Sequence, residues 1–422
     1  MMENIFEQAL NLESPWYIKS TNFDYEKKRL DIEIDFKRGA KFEYINTEGE
    51  IKEGSVYDTK NKTWKHLNFF QHECYLNARI PRILKEDNKV EMIVTPWEGK
   101  MKGFTLLFEA MLLQLCTAMP VLKVSQMSGV SDDKIWLMLE RYVDEAVSNI
   151  DLSELSLLGL DETSQAKRHN YITLFVDLIK RKIVYITEGK DSSTVTKFVS
   201  FLEKQGGNPD KITDVSSDMS RAFIKGGKEN LPNAEITFDK FHIMKIISEA
   251  VDKVRREESK EQSILKGNRY LFLKNGYKLT DKQKKTLDNL KMSKLNLKSI
   301  RALHIRENFQ EIYQSASSEE FEIKLKKWYF WATHSQLEPI KECAYTIKRH
   351  WSGILRWWKS KLNNGILEGL NSIIQAAKSK ARGYKLSKNF KIIAYLLAGD
   401  IDLNSLNIHY SKLGETKLPT QS

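Results

Sequence analysis

Two acidic residues of this chain follow strand-like runs and are candidates to share a metal ion. Asp161 closes the run LSLLGLD, and Asp218 closes the run KITDVSSD. If these strands are neighbours in one sheet, their carboxyl ends place both carboxylates at the same edge. Carboxylates that close repel one another unless a divalent cation lies between them. Mg²⁺ accepts such a site, with waters and phosphate oxygens completing its octahedron.

A third carboxylate is expected on a helix beside them, and the best candidate is Glu368 in the segment NNGILEGLNSIIQAAKSKARGYKLSKNF. Asn363, Asn364 and Gly365 are typical of a helix start, which places Glu368 in the first turn. Apolar residues follow at helical spacing and predict the buried stripe of this helix. They are Ile366, Leu370, Ile373, Ile374 and Ala377.

The segment after Glu368 is basic, with no acidic residue from 376 to 391. A metal-binding glutamate followed by such residues suits a helix laid along a phosphate backbone. The candidate DNA contacts in this segment are Lys378, Lys380, Arg382 and Lys385, and the run continues to Lys388 and Lys391.

Each of these carboxylates also has a structural interpretation. Asp218 would serve as an N-cap for the helix after it, and an acid in a first turn is favourable to the helix dipole. A lone histidine such as His242, three residues after Asp239, is more often a packing residue than a ligand. The aspartates that compete by position are Asp177, Asp191, Asp214 and Asp239.

The elements that must position these acids lie in residues 155–239. LSLLGLD, NYITLFVDLI and KIVYITEG read as three strands, and STVTKFVSFLEKQG as a helix that ends at Gly206 and Gly207. KITDVSSD, MSRAFIKGGKENL and AEITFD then predict a strand, a helix and a strand. Three strands, helix, strand, helix, strand is the element order of the ribonuclease H-like α/β fold.

Two further regions precede this core. Residues 20–97 contain short alternating runs such as RLDIEIDF and AKFEYI, which predict a β-rich module. Residues 119–145 read as a short helix, a turn at Gly129 and a second helix with Ser131 as its N-cap. This is the layout of a helix-turn-helix, whose second helix enters a DNA major groove. Ser131 and Lys134, at the start of that helix, are the candidate DNA contacts there.

The composition favours a polyanionic partner. The 422 residues carry 67 Lys and Arg against 56 Asp and Glu, a net charge of +11. Residues 252–302 alone contain 15 basic and 6 acidic residues. This excess has two interpretations, a solvated helix surface and a nucleic-acid-binding face. Because the charge is concentrated in one segment, the two interpretations are equally favoured. Five tryptophans follow, most of which should lie in the core of a helical region: Trp328, Trp331, Trp351, Trp357 and Trp358.

The three cysteines, Cys74, Cys116 and Cys343, are too far apart for a disulfide framework or a thiolate zinc site. A zinc site near the N-terminus would have to use His66, His72 and Cys74, and ordinary packing is the favoured interpretation of these residues. The sequence predicts a reducing, cytoplasmic location. It has no signal-like start and no apolar run near the ~18 residues that span a bilayer, so no membrane association is expected.

At this point the motifs resemble the DDE transposases of bacterial insertion sequences, specifically the ISL-three family. The matching stretches are GLDE with Asp161, SDMSRAF with Asp218, FDKFHIMK, and NNGILEGLNSIIQAAKSKARGY with Glu368. TWKHLNFF, YLNARIPRI and VTPWEG match more weakly upstream. Together they extend from about residue 40 to residue 400.

The resemblance implies a multidomain α+β chain. Its parts would be a β-rich module (1–100), a helix-turn-helix region (101–150), a ribonuclease H-like core (151–244 and 361–400), a basic all-α insertion (245–360) and a tail (401–422). The family's DDE triad would correspond to Asp161, Asp218 and Glu368, as both catalytic residues and metal ligands. Family members carry zinc ligands upstream, whereas this chain has KFEYINTEG and RILKEDNKVE there, with Lys85 and Asn88 in place of the second pair. No zinc is expected.

The activity that the resemblance implies is Mg²⁺-dependent, or Mn²⁺-dependent, cleavage at the element's ends and transfer of the strands into target DNA. The expected partners are double-stranded DNA, both terminal inverted repeats and target, and a second copy of the chain or more in the synaptic complex. The expected location is the bacterial cytoplasm, on the nucleoid when DNA is bound. Two alternatives stay open: a domesticated or inactive relative that binds DNA without cutting it, and a non-catalytic helical scaffold with structural carboxylates.

Overall fold

The computed structural model describes residues 2–46, 48–85, 88–166, 170–292, 295–360 and 365–401. Within these ranges the chain is a mixed α+β protein with two sheets and 15 helices. It forms two compact units. The first contains the residues up to Val147 together with Ala377–Leu397, and the second contains Ser148–Ala376 with Ala398–Asp400. The finer division expected from the sequence stays a prediction, and its tail beyond residue 401 lies outside the described residues.

The first unit begins with a helix and a six-stranded sheet, as the alternating N-terminal runs predicted. Within this sheet β2 and β5 pair parallel and the other neighbouring strands pair antiparallel, in the order β1-β2-β5-β4-β3, with β6 also on β5. Fully buried side chains such as Trp64 and Leu76 form its core. The elements are α1 (Met2–Ala9), β1 (Trp16–Asp24), β2 (Arg29–Phe36), β3 (Lys41–Ile45), β4 (Ile51–Phe69), β5 (His72–Leu84) and β6 (Val90–Met92).

The histidine and cysteine side chains of this sheet are packing residues. His66 and Cys74 are cross-strand partners on β4 and β5. The Nδ1 atom of His66 lies 2.9 Å from the Thr105 hydroxyl, and burial lowers the pKa of His66 to about 4. Burial raises the pKa of the Cys74 thiol to about 12. All three cysteines are buried and free, which agrees with the prediction that they form no disulfide framework.

Three helices follow in the first unit: α2 (Leu106–Ala118), α3 (Val121–Ser128) and α4 (Asp132–Ser148). The turn between α3 and α4 contains Gly129 at φ +68°, the left-handed conformation that glycine adopts most readily. Fully buried Glu109 joins the helices to the loop before them by accepting hydrogen bonds from the Met101 amide (2.5 Å) and the Tyr142 hydroxyl (2.5 Å). The short helix, turn and long helix predicted from the sequence are confirmed.

The second unit contains a five-stranded mixed sheet in the order β11-β10-β7-β8-β9. Strands β7, β8 and β9 form an antiparallel meander, while β10 and β11 run parallel to β7. The predicted element order is confirmed along the chain. Its elements are β7 (Leu157–Ala166), β8 (Asn170–Asp177), β9 (Lys182–Glu188), α5 (Ser193–Lys204), β10 (Asp214–Ser217), α6 (Arg221–Asn230) and β11 (Glu235–Phe238).

From Lys240 onward the described chain is mainly helical, and one of its five tryptophans is fully buried while three others are partly buried against the same core. Trp328 is fully buried and donates a hydrogen bond to the Ile305 carbonyl (2.8 Å). Trp351, Trp357 and Trp358 pack against the same apolar cluster, whereas Trp331 is 41% exposed. The helices are α7 (Lys240–Glu258), α8 (Arg269–Leu273), α9 (Asp281–Met292), α10 (Lys298–Ile312), α11 (Ser318–Thr333), α12 (Glu338–Arg349), α13 (Trp351–Ser360), α14 (Gly365–Lys380) and α15 (Ser387–Ala398).

None of the helices in the described ranges is both long enough and apolar enough to cross a membrane.

Helix α13 approaches strand β11 at Gly353, and this contact generates a stability prediction. A Cβ at this position would overlap the Phe238 ring and lie 3.0 Å from the Ile236 carbonyl oxygen. We expect Gly353→Ala to destabilise the chain by about 1–3 kcal/mol because buried ring and backbone must move. The matched control is Gly369→Ala in α14, where no atom lies within 4 Å of the added Cβ. Thermal unfolding followed by circular dichroism should show a loss only for Gly353→Ala, and equal melting of the two variants would contradict the packing argument.

Candidate active site

The parallel pairing of β10 with β7 places Asp161 and Asp218 opposite one another. The paired residues run from Asp214 with Leu157 to Ser216 with Gly159. Continuing this register by two residues brings Asp218 level with Asp161, and both side chains are half-buried. The sequence prediction that these two strands are neighbours is therefore confirmed.

The position of Asp161 within its strand differs from the prediction. Asp161 does not close β7, which continues to Ala166. The parallel pairing ends before Asp161, but the antiparallel pairing with β8 continues and sets Asp161 opposite Leu174. The sequence predicted the end of the strand from the end of its apolar run. The strand continues further because its antiparallel pairing with β8 does. Asp161 thus projects from a rigid strand rather than from a turn.

Asp218 begins the turn that leads into α6. Its Oδ1 accepts a hydrogen bond from the Ser220 amide (2.9 Å), and Ser220 is the residue at the N-cap position. The structural interpretation of Asp218 as the N-cap is therefore met in part. Asp218 lies two residues before the N-cap position and binds the backbone amide of the residue that occupies it. Its second oxygen, Oδ2, has no hydrogen-bond partner among the described residues and remains available to a ligand.

A third aspartate continues the row on strand β11. Ser217 pairs with Phe238, so the next residues, Asp218 and Asp239, are level across the two strands. Asp239 is buried, and its Oδ2 lies 3.3 Å from Nδ1 of His242, an ion-pair distance without the alignment of a hydrogen bond. The Asp239 carboxylate raises the pKa of His242, and the charges of Asp218 and Asp161 act in the same direction. His242 is therefore part of an acidic neighbourhood and not an isolated packing residue.

Helix α14 binds β7 through two polar residues that share a helix face with Glu368. Glu368, Asn371 and Gln375 follow one another at spacings of three and four residues, so they share a face. Asn371 donates from Nδ2 to Asp161 Oδ2 (2.8 Å) and accepts at Oδ1 from the Thr163 hydroxyl (2.5 Å). The sequence analysis did not identify Asn371 or Gln375, although their spacing from Glu368 is a visible helical signal.

Gln375 extends this contact by one further turn. Its Nε2 donates to the Thr163 hydroxyl (2.6 Å) and to the Ser164 carbonyl (3.2 Å). Thr163 is buried and lies two residues after Asp161, on the same face of the strand. The rotation of α14 about its axis is therefore fixed by two amide side chains that both bind β7.

An apolar contact at Gly159 completes the docking of α14. A Cβ on Gly159 would lie 2.8 Å from Leu367 Cδ2, so a glycine is needed for this close approach. The predicted apolar stripe is wrong in part, because Ile373 is 48% exposed while Leu367 and Ile374 are the buried residues. Asn371 and Gln375 form hydrogen bonds with β7, so the helix face toward β7 is partly polar. A pattern of apolar residues cannot predict such a face. The predicted helix start at Asn363 and Asn364 lies outside the described residues, and α14 begins at Gly365 with Glu368 in its first turn.

Burial and, to a smaller extent, neighbouring acids raise the pKa values of Asp161, Glu162 and Glu368. Burial raises the pKa of Asp161 to about 6, with the charge of Asp218 adding to it, while the Asn371 amide, the Glu162 backbone amide and His242 oppose the shift. Burial and Asp218 raise the pKa of Glu162 to about 6. Burial and then Asp239 raise the pKa of Glu368, and His242 opposes this. The ionised forms of these three carboxyl groups are therefore disfavoured, chiefly because the groups are shielded from water.

The donor set suits a hard divalent cation, but its three members are not assembled. Asp161 and Asp218 offer carboxylate oxygens from one row, and the unpaired Oδ2 of Asp218 is directed to no protein donor in the described part of the chain. Glu368 is exposed, and the charges that act on it are those of Asp239 and His242. Within the described ranges, no three His, Cys, Asp or Glu side chains are arranged to hold a metal ion. Two of the expected ligands therefore fit as a pair, and the third lies next to Asp239.

Comparison with known proteins identifies the family. A family profile described as transposase, of the ISL3 group of DDE transposases, matches residues 158–394, which is more than half of the chain. A second profile, described as the helix-turn-helix domain of transposase family ISL3, matches residues 94–143. The chain belongs to the ISL3 transposase family. This is the ISL-three family that the motifs resembled.

Two relatives show how far this similarity extends. The transposase for insertion sequence element IS1001 from Bordetella parapertussis is 25% identical over 346 residues, covering 79% of this chain and 84% of the relative. The transposase for insertion sequence element IS1557 from Mycobacterium tuberculosis is 25% identical over 368 residues, covering 80% and 82%. The similarity to both therefore includes the helix-turn-helix region as well as the acidic row.

The remaining aspartates of this transposase that competed by position have structural partners. Asp177 is buried and accepts hydrogen bonds from the Ile179 and Lys180 amides (2.8 and 2.9 Å). Asp191 accepts from the Ser193 amide (2.8 Å) before α5. Asp214 accepts from Nη2 of Arg356 (2.8 Å). Of the four competitors, only Asp239 lies with the acidic row.

The candidate DNA contacts of the transposase all belong to the first unit. Ser131 and Lys134 are exposed at the start of α4. Lys380, Arg382 and Lys385 are exposed around the turn that ends α14, and Lys378 is half-buried with its Nζ 5.9 Å from the centre of the Phe390 ring. The same unit holds α15 against α4, through an ion pair of Lys388 with Glu140 and an edge contact of Tyr384 with Trp136.

The hydrogen bond from Asn371 generates a prediction about pH dependence. This bond favours the ionised Asp161, so Asn371→Ala should raise the pKa of Asp161 above its value of about 6. Cleavage that needs the ionised carboxylate would then fail at a higher pH, and the acid limb of the cleavage rate should move upward by ~1 pH unit. The control is Gln375→Ala, which removes contacts to Thr163 and not to Asp161. Identical acid limbs for the two variants would contradict the assigned role of Asn371.

Proposed function

We propose that this chain is a DNA transposase that cuts DNA at the ends of its insertion sequence and joins the freed 3′-hydroxyl groups to target DNA. The observation that carries the proposal is the common row of Asp161 and Asp218 on adjacent parallel strands, with Glu368 on the helix bound to Asp161 through Asn371. The named relatives are transposases of insertion sequences, and they support the same activity.

We infer further that the second unit contains a ribonuclease H-like core interrupted by a helical insertion. The support is the order of three antiparallel strands, helix, strand, helix and strand, with the last two strands parallel to the first. The helices from α7 to α13 would form the insertion. They separate Asp218 from Glu368 along the chain, and α14 returns to β7 after them.

The proposed site holds Mg²⁺, or Mn²⁺, on Asp161, Asp218 and Glu368. Bound divalent ions would supply activation of the attacking oxygen and stabilisation of the leaving 3′ oxygen. The chain's own groups orient the ligands: the Asn371 amide and the Glu162 backbone amide bind Asp161, and the Ser220 amide binds Asp218. Glu368, exposed in the first turn of α14, would complete the set when metal and DNA are present. No covalent enzyme intermediate is required.

The proposed partners are double-stranded DNA and further copies of the chain. The helix-turn-helix would read the terminal inverted repeats, and the basic residues after Glu368 would bind phosphates without reading sequence. Holding two element ends together calls for at least two copies. We place the protein in the bacterial cytoplasm, at the nucleoid when it binds DNA. Three buried free thiols accord with a reducing compartment.

A second candidate function is DNA binding without cleavage by an inactive relative. The separation of Glu368 from the pair formed by Asp161 and Asp218 favours it, since no three-carboxylate group is assembled in the described residues. The loss of ligand-type residues from the N-terminal module favours it as well. The two candidates differ in whether the chain cuts DNA at all.

A cleavage assay separates the two candidates. With Mg²⁺ and DNA that carries the element's ends, Asp161→Asn, Asp218→Ala and Glu368→Ala should each reduce cleavage by at least ~10²-fold, because each removes a ligand of the reacting centre. The control variant Glu203→Gln changes an exposed acid of α5 and should cleave at the wild-type rate. Undiminished cleavage by any of the three variants would refute that residue's place in the triad. A wild-type chain that binds these ends but never cuts them would establish the second candidate.

The helix-turn-helix generates a separate binding prediction. Lys134 is the basic residue in the first turn of α4, where Asp132 and Asp133 add negative charge. We expect Lys134→Ala to weaken binding to the element's ends and to reduce the slope of log affinity against log salt by about 1. Lys19→Ala, an exposed lysine of β1, is the charge-matched control. An equal effect of both variants in fluorescence anisotropy would exclude a specific contact at Lys134.

A further inference from the structure

A cavity of about 660 Å³ opens beside Glu368 in the second unit. Its volume is in the range of sites that bind small molecules. The first two turns of α7, the segment 273–278 and helix α10 form its walls, and Gly365 with Glu368 closes one end. Of the residues that line it, the cleavage chemistry proposed above uses only Glu368.

The walls of the cavity carry more basic than acidic side chains. Lys240, Lys245, Lys274 and Lys278 line it, and in the described part of the chain none of them forms an ion pair. Asp239 and Glu368 are the acids of the lining, so basic residues are in excess. An anionic ligand would therefore gain several charge contacts on entering.

One wall of the cavity is preorganised by buried Arg306. Its guanidinium donates to the Leu273 carbonyl (3.0 Å), the Asn275 side chain (2.9 Å) and the Ser248 hydroxyl (3.1 Å). These bonds fix the segment that presents Lys274 and Lys278. The positions of those two lysine backbones are therefore set before any ligand binds.

Two aromatic rings of the lining are exposed. Tyr277 is 74% exposed and Phe241 is 57% exposed. Aromatic faces next to basic residues are the usual composition of sites for single-stranded nucleic acid, in which bases stack on rings and cations bind the backbone. A simple phosphate site would not need the rings, and an apolar site would not need the lysines.

We propose that this cavity binds an unpaired nucleotide of the DNA strand adjacent to the site of cleavage. The base would stack on Tyr277 or Phe241, and its phosphate would lie among the lysines. A second depression of about 450 Å³ shares Lys245, Ser248 and Leu273 with the cavity and continues it along α7. Basic residues are also in excess there, because Glu249 and Asp252 are the acids of its lining and Asp252 alone pairs with three arginines, Arg255, Arg256 and Arg269. This continuation favours a polymer strand over a free nucleotide.

The test compares the affinities of the full chain for two DNA probes in fluorescence anisotropy. One probe is a short blunt duplex, and the other is the same duplex with a short single-stranded extension, made in both polarities. We expect one polarity of extension to increase affinity about tenfold, as stacking of one base does. Tyr277→Ala and the double variant Lys274→Ala with Lys278→Ala should each remove most of this ratio. Tyr345→Ala and Lys197→Ala, exposed residues outside the cavity, should retain it.

A second measurement reports stacking directly. 2-Aminopurine placed in the extension should lose fluorescence on binding the wild-type chain and the Tyr345→Ala variant, and should lose less on binding Tyr277→Ala. Equal affinity for blunt and extended probes, or a free deoxynucleoside monophosphate that binds as tightly as the extended probe, would overturn the proposal. Circular dichroism melting of each variant establishes that it is folded.

The inference rests on the proposed function, and the two can fail separately. If the chain cuts DNA with Mg²⁺ but shows no preference for the extension, the cavity proposal alone is wrong. If it binds no duplex DNA and cuts none, the transposase proposal is wrong, whatever the extended probe does.

Discussion

The parallel pairing of β10 with β7 is the constraint on which the candidate site depends. It sets Asp218 level with Asp161, and the pairing of β11 with β10 adds Asp239 to the same row. Neighbouring strands lie about 4.8 Å apart, so the backbone alone brings three carboxylates close together. Two ionised carboxylates ~5 Å apart repel by about 3 kcal/mol at an effective dielectric of ~20. Burial is the main cause of the raised pKa of Asp161, and repulsion by Asp218 adds a smaller contribution.

Helix α14 depends on the same strand for its position. Asn371 and Gln375 bind β7 at Asp161, Thr163 and Ser164, while Leu367 reaches β7 because residue 159 is a glycine. Glu368 precedes Asn371 by one turn. The contacts of Leu367, Asn371 and Gln375 with β7 therefore position the backbone of Glu368. In the described chain, eight α-helices, α6 to α13, lie between Asp218 and Glu368. The helix that carries Glu368 is nevertheless positioned by a few contacts on β7.

Much of the fold was predictable because its signals are local. The strands from LSLLGLD to AEITFD, the helix-turn-helix and the helical character after Lys240 follow from periodicity, turn residues and caps. The ends of strand-like runs and a helix-start signal singled out Asp161, Asp218 and Glu368, and the family motifs matched the same residues. Two features were not accessible in this way. The end of β7 depends on its pairing with β8, and the buried face of α14 depends on hydrogen bonds to a distant strand. Apolar periodicity therefore selected Ile373 for a face that is exposed.

His242 is the basic side chain that faces the acidic row and offsets part of its negative charge when protonated. Its imidazole faces Asp239 at 3.3 Å and feels the charges of Asp218 and Asp161, all of which favour its protonated form. A protonated His242 compensates part of the negative charge but lies to one side, next to Asp239. Among the described residues, Asp218 Oδ2 accepts no hydrogen bond, and Asp161 Oδ2 accepts one from the Asn371 amide. A bound divalent cation would neutralise the remaining carboxylate charge and favour the ionised forms of these acids.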